Sequence, residues 1–585
     1  MRSLRKAQSK MEINKIKRNF FVFDTETTKL EPMPKNFVFG VIMGSSFHKV
    51  LYSVEDFKKE FENPIYKNKY IFAHNAEFDL LSIFGNIITE VDNSAVFNGK
   101  FIAAKYKNNI TFGDSMNIYP ASVEKIGAMM GLEKLDNLKV RSQKLRKDNI
   151  TEEDIEYCKR DCKIIFKALQ RMFESIGVIK LTVPSLAMFQ FRSQYLPKDI
   201  VFSEIVDDFY ESYYGGRTEA FRIGKVKAEV YDINSLYPYA MIHTVFPDVK
   251  HLHKILDLNV KYLLYLLNDY EGLAKVTVRH KETYFGYLPV RMEINKSEKL
   301  VFPVGEFTTT VNFNELRFAI DEGVVEVLKV HYVIYANPVE SPFVTFVNDN
   351  YKKRLQSPNE LDKTIYKLIM NSLYGRFAMK MKMSTTYYDN LPYQLIAELE
   401  QADKFYDLQL FNIERNDCYL ITENEQMKNS FFSIPAYSSY ITSYARVKLL
   451  KAMIANEKSD VCYCDTDSIF LMDVFMSDVS GDIGDFKKEP KIVTEINGLK
   501  NYKYINGEGK ETTVIKGISR NSTKISENSW STKKYYKTKQ SIVQNKEAGE
   551  SFEQTKTLKH IYDKRTILAD GNTKPIKLSL SGNDI

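Results

Sequence analysis

YCDTDSI, residues 463–469, sets Asp465 and Asp467 one residue apart between two short apolar runs, Val461–Cys464 and Ile469–Met472. The pattern predicts a β-hairpin with both acids at its tip. Like charges at a tip repel each other, and a divalent cation held between them would remove that penalty. Asp and Thr are also ordinary turn residues, so a solvated hairpin is the plain reading of the heptapeptide alone. The choice rests on the rest of the chain.

At 585 residues the chain exceeds one hydrophobic core and is expected to divide into roughly three or four domains. Its 44% apolar and 27% charged content is that of a globular protein. The net charge of +7 is a small surplus of 82 Lys and Arg over 75 Asp and Glu. It fits a nucleic-acid surface around acidic metal sites without establishing one. The wealth of Lys, Asn, Ile and Tyr is equally what an AT-rich coding genome gives. The five cysteines, Cys158, Cys162, Cys418, Cys462 and Cys464, make no disulfide framework, and no second pair completes a zinc site. Reduced core thiols are expected. The basic N-terminus, MRSLRKAQSKMEINKIKRNF, has no apolar signal region, and no run approaches 18 apolar residues. A soluble, intracellular, cytoplasmic protein with no membrane contact is expected.

Upstream lies a first group of acids. FFVFDTETTKL is an apolar strand that brings Asp24 and Glu26 onto one face, because residues two apart share a side of a strand. YIFAHNAEFDL has a similar apolar lead, followed by His74, Asn75, Phe78 and Asp79. TEEDIEYCKRDCKIIFKAL opens as a capped helix at Thr151, with Tyr157 and Asp161 at i and i+4. Each piece alone has an ordinary reading, as a strand end or a surface pair. Downstream, KAEVYDINSLYPYAM runs a strand into Asp232, then a turn and a helix around Pro238. In KTIYKLIMNSLYGRFA, Lys363, Lys367, Asn371 and Tyr374 fall within an arc of roughly 80° on a helix. Cations, an amide and a phenol in one stripe suit a phosphate-rich ligand carrying a flat base.

Taken in order, the upstream pieces resemble the three motifs of DEDD-type 3′–5′ exonucleases of the tyrosine variety (DEDDy). The downstream pieces, Asp232-x-x-Ser-Leu-Tyr-Pro, Lys367-x3-Asn-Ser-x-Tyr-Gly and Asp465-Thr-Asp467-Ser, closely resemble motifs A, B and C of family B DNA polymerases. The resemblance implies α/β and α+β domains: an RNase H-like exonuclease, then a right-hand polymerase of palm, fingers and thumb with two insertions. It makes Asp24, Glu26, Asp79 and Asp161 ligands of two Mg²⁺ or Mn²⁺ ions, with Tyr157 orienting the attacking water. Two further ions would sit on Asp232 and Asp467, assisted by Asp465, activating the primer hydroxyl and neutralising the triphosphate. Lys367 and Lys363 would hold phosphates, Asn371 would line the nucleotide site, Tyr237 would exclude a ribose 2′-hydroxyl, and Tyr374 would pack on the nascent pair. For the tyrosines, core packing is the ordinary alternative. His74, Asn75, Phe78 and Ser122 would contact the frayed strand. Tyr213-x-Gly215-Gly216 resembles a YxGG template-binding linker, and Lys500-x-Tyr502 a KxY element at the primer terminus.

The compact length, these two short motifs and two long gaps resemble the protein-primed branch of the family, found in phages, adenovirus-like viruses and linear plasmids. The expected plan is an exonuclease over 1–181, palm over 182–243 and 437–521, and fingers over 343–378. Insertions over 244–342 and 379–436 and a thumb over 522–585 complete it. The first insertion would meet a terminal protein that serves as primer, and the second would close over DNA during strand displacement. Other expected partners are a primer-template, dNTPs and a single-stranded-DNA-binding protein. A polymerase extending ordinary nucleic-acid primers is the open alternative. A nuclease with an idle second half, or a non-catalytic single-strand binder, would leave the clustered acids without purpose.

Overall fold

The computed structural model describes residues 1–580 except 8–10, 92, 98–99, 138–139, 141, 381–383, 389–392, 402–404, 414–415, 425–431, 458–459, 478, 520–521, 527, 545 and 559–561. Apolar β-formers on both faces explain the buried central strand Phe20–Thr27. It lies parallel to Tyr70–Ala73, which is parallel to Ile110–Asp114, and antiparallel to Phe37–Met43 and thence His48–Leu51. That mixed order is the RNase H-like arrangement expected from the motifs. Across it lies the helix Glu152–Ile176, begun by a capping box in which Thr151 donates N–H and Oγ1–H to Asp154 and ended by Gly177 at φ 83°. Phe166 of this helix stacks on Phe20 at 4.7 Å, which locks the helix over the strand that carries Asp24 and Glu26.

A seven-stranded sheet forms the palm. Its order is Thr218–Ala220, Val461–Asp465, Ser468–Leu471, Gly224–Ile233, Phe486–Gly498, Asn501–Asn506 and Glu511–Ile515. The hairpin predicted at 463–469 is present, antiparallel, with Asp465 opposite Ser468. The long helix Pro435–Ala455 is buried along most of its length, and Pro435 stands at its first turn.

The segment after motif A forms a body of its own. Strands His253–Leu256, Val325–Ala336, Glu271–His280 and Val304–Asn312 make a sheet covered by helices Val260–Asp269 and Phe313–Asp321 around a separate apolar core. Its fifth strand, Lys577–Leu578, comes from the C-terminal tail. The tail therefore does not stay within its three-stranded sheet Thr523–Ser526, Ser529–Tyr535 and Ser551–Thr557, but returns to the palm and the first insertion. Part of the expected second insertion lies outside the described residues. Its strands Phe405–Ile413, Asn416–Asn424 and Ser384–Tyr388 continue the exonuclease sheet through Thr385, opposite Ser94. No helix among the described residues is long and apolar enough to cross a membrane.

The tail is fastened beneath the palm by charge. Glu219 is fully buried between Arg217, whose Nε donates at 2.6 Å, and Arg565, whose Nη1 donates at 3.3 Å. Burial pushes the Glu219 carboxyl up, but the two guanidiniums hold it below the usual range. Removing the shared anion strands two buried cations. Glu219→Ala is expected to lower the unfolding free energy by about 3–5 kcal/mol, read by guanidinium chloride titration; an unchanged midpoint would contradict the burial of this triad.

Candidate active sites

In the exonuclease half, strand Phe20–Thr27 presents Asp24 and Glu26, helix Ala76–Phe84 adds Asp79, and helix Glu152–Ile176 adds Tyr157 and Asp161. Thr25 fixes Asp79 by donating its N–H at 3.0 Å and its Oγ1–H at 2.7 Å to Oδ1. Burial, then Asp161, raises Asp24 to about 7. Glu26, Asp79 and Asp161 are all raised, burial being the first cause for each. One Asp161 oxygen is buried without a hydrogen-bond partner. Carboxylates raised together, with one lone pair unused, fit a hard divalent cation. Sequence reasoning missed two members of this cluster. Lys134 pairs with Asp161 and lies 4.6 Å from the Tyr157 ring centroid. Cys158 points its thiol at Asp24, 3.6 Å from Oδ2, and its sulfur lies within 4.8 Å of ligand oxygens of Asp24 and Glu26. A lysine 27 positions before the third motif carried no local signal, while Cys158 sits one residue past Tyr157 in the quoted helix.

The predicted strand-gripping residues divide. Asn75 adopts φ 71° at the head of helix Ala76–Phe84 and donates its N–H to Asp114 at 2.9 Å. The rings of Phe78 and Tyr535 meet edge to face at 5.8 Å, Lys537 pairs with Glu77 at 3.0 Å, and Glu77 accepts the Thr538 N–H. The tail run TKKYYKTKQ, residues 532–540, thus docks on the exonuclease domain. His74 has both ring nitrogens engaged at 2.8 Å, with Ser115 and the Ala121 carbonyl, and burial lowers it to about 4. It braces the turn before Ser122, whose hydroxyl caps the following helix by accepting from the Lys125 N–H.

In the palm, Asp232 stands opposite Ser468 across the sheet, and Ile233 donates its N–H to the Asp467 carbonyl at 2.7 Å. Thr466, at φ 63°, turns the hairpin tip and donates its N–H to the Arg217 carbonyl at 2.7 Å. Burial, then Asp467 and Glu489, raises Asp232 to about 7; burial, then Asp465, raises Asp467. Asp465 faces other partners, with Lys500 at 3.3 Å and Thr218 donating at 3.2 Å. Lys367 is close enough for its charge to favour ionisation of both Asp232 and Asp467. Lys363, expected in the same stripe, holds Glu360 at 2.7 Å, so the stripe begins with an acid rather than with cations alone. Asn371 is half-buried on the same helix, and Tyr374 stacks on Tyr237 with centroids 4.5 Å apart. Gly216 presses against this pair: a Cβ there would lie 2.7 Å from Thr466 Cγ2 and 3.0 Å from the Tyr237 hydroxyl. The linker Tyr213–Gly216, the hairpin tip and both tyrosines therefore meet at one place. Tyr502 packs on Tyr463 and Phe470 beneath the hairpin, and Lys500 donates its N–H to the Tyr463 hydroxyl. Glu489, unmarked in the sequence reading, joins the polymerase acids from the strand paired with Asp232's own.

The family model for DNA polymerase type B, organellar and viral, matches residues 129–459, more than half the chain. The chain belongs to this family. Its members are divalent-metal-dependent, DNA-directed DNA polymerases. The chain is 26% identical over 482 residues to the DNA-directed DNA polymerase of Enterobacteria phage PRD1, covering 78% of this chain and 76% of that one. It is 25% identical over 463 residues to a probable DNA polymerase of Podospora anserina, covering 66% of this chain but 37% of the longer fungal protein. Phi29 DNA polymerase complexed with primer-template DNA and incoming nucleotide substrates shares the fold, with TM-score 0.67 and 17% identity over 93% of this chain and all of that one. The exonuclease, palm, fingers and thumb plan with two insertions is thereby the fold of this family member.

The raised carboxyls predict a pH signature. A carboxyl with pKa near 7 keeps its proton in the fold while the unfolded chain has lost it above about pH 4, so its contribution to stability falls as pH rises through that window. In metal-free buffer, Asp232→Asn should gain stability over wild type between about pH 4 and 8, and added Mg²⁺ should raise the melting temperature of wild type by more than that of the variant, which keeps the cluster of Asp24, Glu26, Asp79 and Asp161. A wild-type-to-variant difference that stays constant across that range contradicts the assignment.

Proposed function

We propose that this polymerase copies a linear viral or plasmid genome from a protein primer, displaces the non-template strand, and removes mispaired ends at a second site. The observation that carries the two-site reading is the pair of separate carboxylate clusters, on two sheets of one chain. The relation to phage polymerases and the independent body built by residues 253–336 support a protein-primed start.

Asp232 and Asp467 would hold two Mg²⁺ or Mn²⁺ ions, with Asp465 kept in reserve by Lys500. Bound there, the ions supply charge neutralisation and a more acidic primer hydroxyl. The protein's own part is placement. Lys367, and Lys363 once released from Glu360, offer mobile ammonium groups to the triphosphate. Asn371 lines the nucleotide, Tyr374 packs on the nascent pair, and Tyr237, fixed by Tyr374 and Gly216, fills the space a 2′-hydroxyl would need. Tyr213, Gly215 and Gly216 contact the template; Lys500 and Tyr502 steady the primer end. In the exonuclease, Asp24, Glu26, Asp79 and Asp161 hold the ions. Tyr157, pushed up to about 12 by burial, stays a phenol able to orient water. Lys134 balances Asp161, and Asn75 and Phe78 meet the frayed strand, with His74 and Ser122 shaping the turn beside it. The domain limits are those read from the motifs, except that residues 577–578 join the sheet of the first insertion, and the second insertion closes over the duplex. A primer-template and dNTPs, the ligands of the Phi29 enzyme complex, are proposed as its substrates, with a terminal protein and a single-stranded-DNA-binding protein as partners.

Separation of the activities tests the two-site reading. Asp467→Ala should reduce primer extension by at least about a hundredfold and leave single-strand digestion intact; Asp24→Ala with Glu26→Ala should do the reverse. Loss of both activities in either variant contradicts two independent centres. On a singly primed DNA circle with Mg²⁺ and dNTPs, products longer than one lap are expected, and products ending at one lap refute strand displacement. Protein priming predicts radiolabelled dNMP joined covalently to a purified terminal protein in the absence of any oligonucleotide, and extension of oligonucleotides alone favours ordinary primers.

A further inference from the structure

We infer that Glu315 and Arg446 are positioning residues for template binding: a buried ion pair through which the first insertion holds the backbone of the 213–216 linker. The inference rests on the proposed role of that linker as a template contact. Residues 213–217 run between a turn and a strand without a hydrogen-bonded ladder, so their carbonyls need donors from elsewhere. Arg446, on the long helix Pro435–Ala455, supplies them, donating from Nη1 to the Tyr214 carbonyl at 2.8 Å and the Gly215 carbonyl at 3.0 Å. Its other edge donates from Nε and Nη2 to the two Glu315 oxygens, both at 2.8 Å. Arg446 is 3% and Glu315 2% exposed.

Glu315 lies in the first turn of helix Phe313–Asp321. A further contact ties the linker to the same body. Arg291 lies 4.5 Å from the Tyr214 ring centroid and donates to the Tyr213 carbonyl. The opposite side of the linker is Gly216, pressed on Thr466 and the Tyr237 hydroxyl. A guanidinium can serve two carbonyls and a bidentate carboxylate in one plane, and an ammonium cannot. Buried pairs of this kind are poor sources of stability, which leaves geometry as the property that the pair supplies.

The test uses the full chain and three variants: Arg446→Lys, Glu315→Gln and Gly216→Ala. Four quantities are read: the Kd for a primer-template duplex, the ratio of ribonucleotide to deoxynucleotide insertion, the rate of single-strand digestion, and the melting temperature. Arg446→Lys and Glu315→Gln are expected to weaken duplex binding about tenfold and to raise ribonucleotide insertion, as Gly216→Ala does. Digestion should stay within about twofold of wild type; melting should fall in Glu315→Gln, which leaves the Arg446 guanidinium buried without its anion, and fall less in Arg446→Lys, which keeps a cation opposite Glu315. Wild-type binding and selection in Arg446→Lys beside a defective Gly216→Ala overturns the role of the pair alone. Parallel loss of both activities with a lowered melting temperature shows a merely structural pair and also overturns it. A silent Gly216→Ala removes the linker's template role, and this inference with it.

Discussion

Carboxylates crowded out of water are the constraint on which both halves of this protein depend. Four of them converge at the head of one sheet, Asp232 and Asp467 lie close together on neighbouring strands of another, and burial is the first cause of the raised pKa in each of these six. Such crowding opposes folding unless a cation or a proton compensates it. Nearby lysines answer part of the charge: Lys134 at Asp161, Lys500 at Asp465, and Lys367 within reach of Asp232 and Asp467. The remaining deficit is one that a hard divalent ion and a polyanionic substrate would fill together.

Holding such groups still requires rigid support, and the chain supplies it with buried arginines. Arg217 and Arg565 share Glu219 beneath the hairpin, and the Arg217 carbonyl accepts the Thr466 N–H at the hairpin tip. Arg446 spans Glu315 and the linker carbonyls. Arg565 with Glu219 and Arg446 with Glu315 join segments far apart in sequence, so the tail, the first insertion and the palm are fixed against one another near the palm carboxylates. The tyrosine pair Tyr237 and Tyr374 stacks against the bare Cα of Gly216 beside the hairpin tip.

The clustered side chains are legible because a strand or helix period and a short apolar lead suffice to aim them: Asp24 with Glu26, Tyr157 with Asp161, Asp465 with Asp467. Lys363 shows the limit of that logic. It lies on the expected helix, but the neighbouring Glu360 takes its ammonium at 2.7 Å. Lys134, Glu489, Tyr535 and the Glu315–Arg446 pair escaped notice because their meaning arises from partners 27 to several hundred positions away, across sheets and insertions. His74 read as a strand contact because position cannot reveal that both its nitrogens are already engaged. The tail read as a self-contained thumb because nothing local announces that Lys577–Leu578 pairs with a strand of the first insertion.

The central claim is that both clusters exist to hold cations. The most direct measurement is anomalous scattering from crystals grown with Mn²⁺, a primer-template and a non-hydrolysable incoming nucleotide, with single-stranded DNA soaked toward the exonuclease. The account predicts Mn²⁺ peaks between Asp232 and Asp467 and a separate set among Asp24, Glu26, Asp79 and Asp161. Peaks at only one centre, or lysine ammonium groups filling either cluster in place of metal, would contradict it.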